Sequence, residues 1–190
     1  MAHTPLMTSL GADSSLARKV AMVAFGSLLV GMSAQISVPM FPVPMTLQTL
    51  AISLIGLTYG ARLAGATLLA YLAQGAAGLP VFAGGAAGAV HLVGPTGGFL
   101  VGFVAMAWLT GLLVERGLSG GLLRLFGAAL VPALLLFVPG VAWLWFITPL
   151  DFEGALMAGA IPFQLGGIVK SLVAALIVTG AFAALKDRVK

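Results

Sequence analysis

Apolar residues run almost without interruption along this chain, and the polar and helix-breaking residues fall in short clusters that cut the run into segments. A first stretch from about Leu16 to Ser37 is long enough to cross a hydrocarbon core of ~30 Å at ~1.5 Å per residue. Pro39, Pro42 and Pro44 then end it, because clustered prolines cannot continue a helix. A second, shorter run opens at Thr46, a suitable N-cap, and ends near Tyr59 and Gly60. A third begins at Arg62, passes Tyr71 and Gln74 and dissolves after Gly75. The fourth spans about Gly97 to Glu115 and Arg116, the fifth about Leu122 to Phe146, and the sixth roughly Ala160 to Leu185. Pro132 and Pro139 predict a bend in the fifth, and Trp143 and Trp145 mark its interfacial end. Asp151 and Glu153 form a polar turn before the sixth. The pattern predicts an all-α integral membrane protein of six transmembrane helices. Residues 1–15 form a mobile N-terminal tail, and 16–190 make a single membrane domain.

Two stretches between spans stand out. The glycine-rich segment GLPVFAGGAAGAVHLVGPTGGF, Gly78 to Phe99, is too apolar for a solvated linker. At membrane depth, irregular backbone survives only where protein buries it or a cavity wets it. The segment is therefore either the cover of a ligand site, with Gly84, Gly85, Pro95, Gly97 and Gly98 shaping it, or a structural cap. The proline segment with Phe41 at its tip is the second such cover. Neither is expected to contain a ladder of backbone hydrogen bonds.

Composition narrows the class. Hydrophobic residues make up 61% and charged residues 7% of the chain, against roughly 25% charged in an ordinary soluble domain. The net charge of +4 comes from basic residues scattered singly, which form no nucleic-acid-binding stripe. Arg18, Lys19, Arg62, Arg116, Arg124, Lys186, Arg188 and Lys190 all fall on the side of the two termini. By the positive-inside rule both termini are cytoplasmic, and the long loops between helices 1 and 2 and between helices 3 and 4 are extracytoplasmic. There is no cysteine, and the two histidines, His3 and His91, lack neighbouring carboxylates, so no metal site is expected. GPTGG is followed by Phe99 rather than Lys, so no phosphate-cradling loop is present. No nucleophile stands beside a base.

Lys170 is the sharpest polar signal, since an ammonium well inside a span costs at least ~2.5 to 3.5 kcal/mol by insertion scales. Either it snorkels to an interface or it meets a partner. No acid lies within another span, so an anionic ligand is the simplest counter-charge. Gln48, one turn into the second span, serves either a helix-helix hydrogen bond or a ligand. Tyr71 and Gln74 face either a shared cavity or a neighbouring helix. Phe41, Phe82 and Phe99 supply either walls for a small ring or ordinary packing. Small-xxx-small pairs such as Gly56 and Gly60, and Ala17 and Ala21 at the start of the first span, permit close helix approach. The residues alone leave open a membrane enzyme acting on a lipid-like substrate, with Lys170 and His91 its only polar candidates.

Taken together, ISVPMFPVPMTLQTL, GLPVFAGGAAGAVHLVGPTGGFLVGF and IPFQLGGIVK resemble the BioY family, the biotin-binding S components of energy-coupling factor (ECF) transporters, over nearly the whole chain from Leu16 to Leu185. The resemblance implies a six-helix bundle of the bacterial inner (cell) membrane that captures biotin from outside and works with a transmembrane coupling subunit and two ATPase subunits. It implies no enzymatic activity and no cofactor. It also implies that Gln48 and Lys170 line the vitamin site, and that the Ala17 and Ala21 face docks the coupling subunit. The chain departs from the family pattern at three places in that site. Gly167 stands where an acid commonly precedes the lysine by three, Phe99 where Tyr usually follows the paired glycines, and Ala86 where some members have Asn or Gly. Other small carboxylate vitamins remain alternative ligands.

Overall fold

Ser15 opens the first helix by accepting a hydrogen bond from the Arg18 amide (3.2 Å), and α1 (Leu16–Ala34) follows. The computed structural model of the chain describes residues 15–188, with side-chain surroundings as far as 184; the expected mobile tail of 1–15 lies outside the described residues except for this cap. Helix α1 stops short of the anticipated Ser37. In place of a bare proline loop, β1 (Ser37–Val38) pairs antiparallel with β2 (Met45–Thr46), Ser37 opposite Thr46 and Val38 opposite Met45. The prolines exclude helix but leave the flanking residues free to pair, so this loop does carry a short hydrogen-bonded ladder.

Helix α2 (Gln48–Tyr59) has Leu47 at its cap position. Thr46, expected there, instead sits in β2 and accepts from the Gln48 amide through Oγ1 (3.3 Å). A single residue separates helix α3 (Ala61–Ala76) from α2, and that residue, Gly60, makes the turn possible at φ 82°, a conformation costly for other residues. Glu115 Oε1 accepts from the Ala61 amide (2.9 Å), satisfying one of the unpaired donors of α3. The Gly78 to Phe99 segment is not purely loop: it holds a 3₁₀ turn (Ala83–Gly85) and a short helix, α4 (Val90–Val93).

Helix α5 (Gly97–Glu115) is apolar all round, as a helix enclosed by others is, and packs against α2, α3, α6 (Leu122–Leu135) and α7 (Phe137–Ile147). The expected bend of the fifth span is a division at Leu136. Pro139 has no amide to offer the Leu135 carbonyl, and its ring crowds that carbonyl. The polar turn at Asp151 and Glu153 is instead the start of a helix, α8 (Phe152–Gly159), with Asp151 Oδ1 accepting from the Gly154 amide (2.8 Å). A 3₁₀ turn (Ile161–Phe163) leads into α9 (Gln164–Arg188), so the last long helix begins later than Ala160.

Among the described residues, four helical stretches are long and apolar enough to cross a membrane: Leu16–Ala34, Gly97–Glu115, Leu122–Ile147 and Phe152–Ala184. Helix α2, with 12 residues, rises only about 18 Å, and α3 has 16 residues. Arg62, Arg116 and Arg124 sit at the helix ends joined by Gly60 and by residues 117–121. The hairpin and the segment from Gly78 onward cap the opposite end.

Candidate functional site

At that capped end lies a cavity of about 250 Å³, near the lower bound of ordinary small-molecule clefts. Its walls are mostly apolar. Phe82 and Phe99 line it and are nearly buried, at 3% and 7% exposure. Each ring fits because a glycine faces it: a Cβ at Gly75 would overlap the Phe82 ring, and one at Gly140 the Phe99 ring. Tyr71 meets Phe82 edge-on with centroids 5.6 Å apart, and His91 meets the same ring at 6.0 Å.

One polar arc crosses the cavity from α2 to α9. Gln48, 3% exposed, donates from Nε2 to the Tyr71 hydroxyl (2.7 Å). Its Oε1 accepts from the Thr46 hydroxyl (3.0 Å). Tyr71 passes the chain on to the Val81 carbonyl (3.2 Å). The carboxamide is therefore held in orientation at both its nitrogen and its oxygen. Lys170 donates from Nζ to the Thr46 carbonyl (2.9 Å). An ammonium has three donors, so this carbonyl, rather than a carboxylate, is its protein partner, and donor capacity is left for a ligand. Lys170 does not simply snorkel away from the site: it is among the cavity-lining residues. Gly166 leaves room for its stem beside Met45, and a Cβ on Gly167 would meet nothing within 4 Å.

The cavity thus gathers Gln48, Phe82, Ala86, Phe99, Gly167 and Lys170. The other expected residues stand elsewhere. Tyr71 is fully buried behind Gln48 and holds it without lining the cavity. Gln74 turns to α1 and donates to Ser27 Oγ (2.9 Å), so it does not share a cavity with Tyr71. Phe41 is 96% exposed at the hairpin tip and covers nothing. Gly84 and Gly85 form the left-handed bend of the 3₁₀ turn, at φ 68° and 75°, while Ala83 and Ala86 on either side reach the cavity. Pro95 does not line it. Gly97 and Gly98 fall in the first turn of α5 and border a different groove beside Trp143. Three side chains moor the glycine-rich segment: Gln35 to the Phe82 carbonyl (3.1 Å), Tyr71 to Val81, and Trp143 to the Gly94 carbonyl (2.9 Å). Ala17 and Ala21 are exposed on α1.

Sequence reasoning missed the cavity's far wall, where Leu136, Phe137 and Phe163 come from the break between α6 and α7, from α7 and from the 3₁₀ turn. Aromatic and aliphatic residues in a bundle carry no local mark that separates wall from packing. Thr49 was also missed, though a polar residue next to Gln48 at the head of α2 was a visible signal.

Fold and site together define a multi-pass membrane bundle with a small-molecule cavity at one end. The chain belongs to the BioY family, whose model matches residues 4–187. It is 37% identical to a probable biotin transporter BioY of Pyrococcus horikoshii, over 85% of this chain and 94% of the relative. It is also 37% identical to the biotin transporter BioY2 of Lactococcus lactis, over 80% and 83%. Its fold is similar to a crystal structure of the S-component for biotin from an ECF-type ABC transporter, with TM-score 0.76 and 24% identity over 87% of this chain and 92% of that one.

Proposed function

We propose that this chain is the substrate-capture subunit of a biotin uptake transporter. The observation that carries the reading is the cavity itself: an apolar, aromatic-walled space with one oriented carboxamide and one ammonium whose donors are only partly used. Biotin matches it group for group. Its fused rings and aliphatic chain suit Phe82 and Phe99, its cyclic urea offers hydrogen bonds to the Gln48 arc, and its carboxylate pairs with Lys170. Membership of a family whose relatives are named biotin transporters supports the same ligand.

On this reading the chain crosses the membrane six times, α2 and α3 included, with both termini in the cytoplasm and the cavity open to the outside. The basic residues at the other end of the helices favour that orientation. Ala17 and Ala21 offer a shallow face where the coupling subunit's helices approach closely, and two ATPase subunits drive release. The chain itself performs no covalent chemistry.

Intact mass spectrometry of ligand carried through purification tests the reading. Stoichiometric biotin is expected; a bound lipid-derived product in its place would contradict it. Gly167→Asp sharpens the test, because the side chain would enter open space one turn from Lys170. Equal or tighter biotin binding is expected if an acid there orients the lysine or accepts from the ligand. Weaker binding would mean the site is shaped for a different anion.

A further inference from the structure

Among the described residues, three buried side-chain atoms lack a hydrogen-bond partner: Thr49 Oγ1, Ser53 Oγ and Gln74 Oε1. Of these residues only Thr49 lines the cavity. Hydroxyls elsewhere in the helices turn back to the carbonyl four residues earlier, as Thr58 does to Leu54 (2.6 Å), Thr67 to Leu63 (2.8 Å) and Thr110 to Met106 (2.8 Å). Thr49 has no such outlet, because it stands in the first turn of α2 and the residue four before it, Met45, belongs to β2. A buried hydroxyl left unpaired is costly, and a group of the captured molecule is what would pair with it.

The neighbouring polar groups decide which group that is. Lys170 can only donate, and its free donors suit a carboxylate. The Gln48 oxygen already accepts from Thr46, and the Thr46 hydroxyl both donates to Gln48 Oε1 and accepts from the Gln48 amide. Thr49 is left with an acceptor and a donor both unspent. We infer that the Thr49 hydroxyl accepts a hydrogen bond from an N–H of the ligand's cyclic urea, and so reads the neutral ring end of the molecule while Lys170 reads the charged end.

This inference rests on the biotin reading, and the experiment separates the two. Wild type, Thr49→Val and Thr49→Ser are titrated in detergent by calorimetry with biotin and with biotin amide. Thr49→Ala replaces the valine variant if thermal unfolding shows that valine prevents folding. Thr49→Val is expected to weaken binding roughly 10- to 100-fold by the same factor for acid and amide, and Thr49→Ser to restore most of it. Unchanged affinity in Thr49→Val would remove Thr49 from recognition. A loss seen with biotin but absent with the amide would assign Thr49 to the carboxylate and overturn the inference. Wild type that binds neither compound would overturn the biotin reading itself.

Discussion

At the end of the bundle that carries Arg62, Arg116 and Arg124, helices α2, α5, α6 and α9 meet through Leu57, Val114, Ala128, Ala129, Ala174 and Ala175, all at 0% exposure. At the other end, α5 meets the cavity with larger side chains, Phe99 and Phe103, the break after α6 adds Leu136, α2 brings Gln48 and Thr49, and α9 meets it with Gly167 and Lys170. The difference lies in side-chain size. Alanines let backbones approach until no space is left. Aromatic rings held in place by facing glycines instead line a cavity. One end is a clasp and the other a receptacle, and the receptacle's roof is tied down by side-chain donors from the residue that caps α1 and from α3 and α7 rather than by packing alone.

Substitutions at the two ends should therefore separate affinity from stability. The largest effect is expected at the receptacle: Lys170→Ala should weaken biotin binding by about 2 to 5 kcal/mol, the cost of leaving one partner of a buried charged hydrogen bond unpaired. Lys170→Arg should rescue only part of this, because a planar fork does not occupy the place of a compact ammonium. Calorimetric titration reads both. At the clasp, Ala128→Leu should lower the free energy of unfolding by about 1 to 3 kcal/mol through overpacking, seen as a lower thermal midpoint in detergent, while biotin affinity changes by no more than about 0.5 kcal/mol. Loss of affinity matching the loss of stability would erase the distinction between the ends.

Tyr71→Phe probes the link between roof and wall. It removes the hydroxyl that joins Gln48 to the Val81 carbonyl without touching the cavity surface, and should cost about 1 kcal/mol of binding, with faster hydrogen exchange at residues 78–97. Unaltered exchange there would show that Tyr71 does not moor the segment. The smallest effect on affinity is expected at Ala17→Trp, which lies on exposed α1. Biotin binding should be unchanged while co-purification of the coupling subunit is lost, and normal co-purification would take the docking face away from Ala17.

What the sequence made legible follows the same division. The boundaries of α3 and α5 and the break in the fifth span were readable, because Gly60, the paired glycines before Phe99 and Pro139 act through local backbone chemistry. Lys170 and Gln48 were readable because a charge or carboxamide in an apolar run demands a partner. Phe41 was misplaced because a phenylalanine in a loop looks alike whether it covers a cavity or projects away from it. The β-hairpin escaped notice because its strands are two residues each, too short for alternation to register. Whether Tyr71 faces a cavity or a neighbouring helix stays open in the sequence, since only the fold reveals that it stands behind Gln48.

A thermal-shift titration of the wild-type chain against a panel of water-soluble vitamins tests the central claim most directly, because a ligand that binds only the folded state raises its stability with concentration. Biotin should raise the unfolding midpoint in a concentration-dependent way and the other vitamins should not. No shift with biotin, or a larger one with another carboxylate vitamin, would contradict the assignment of this cavity to biotin.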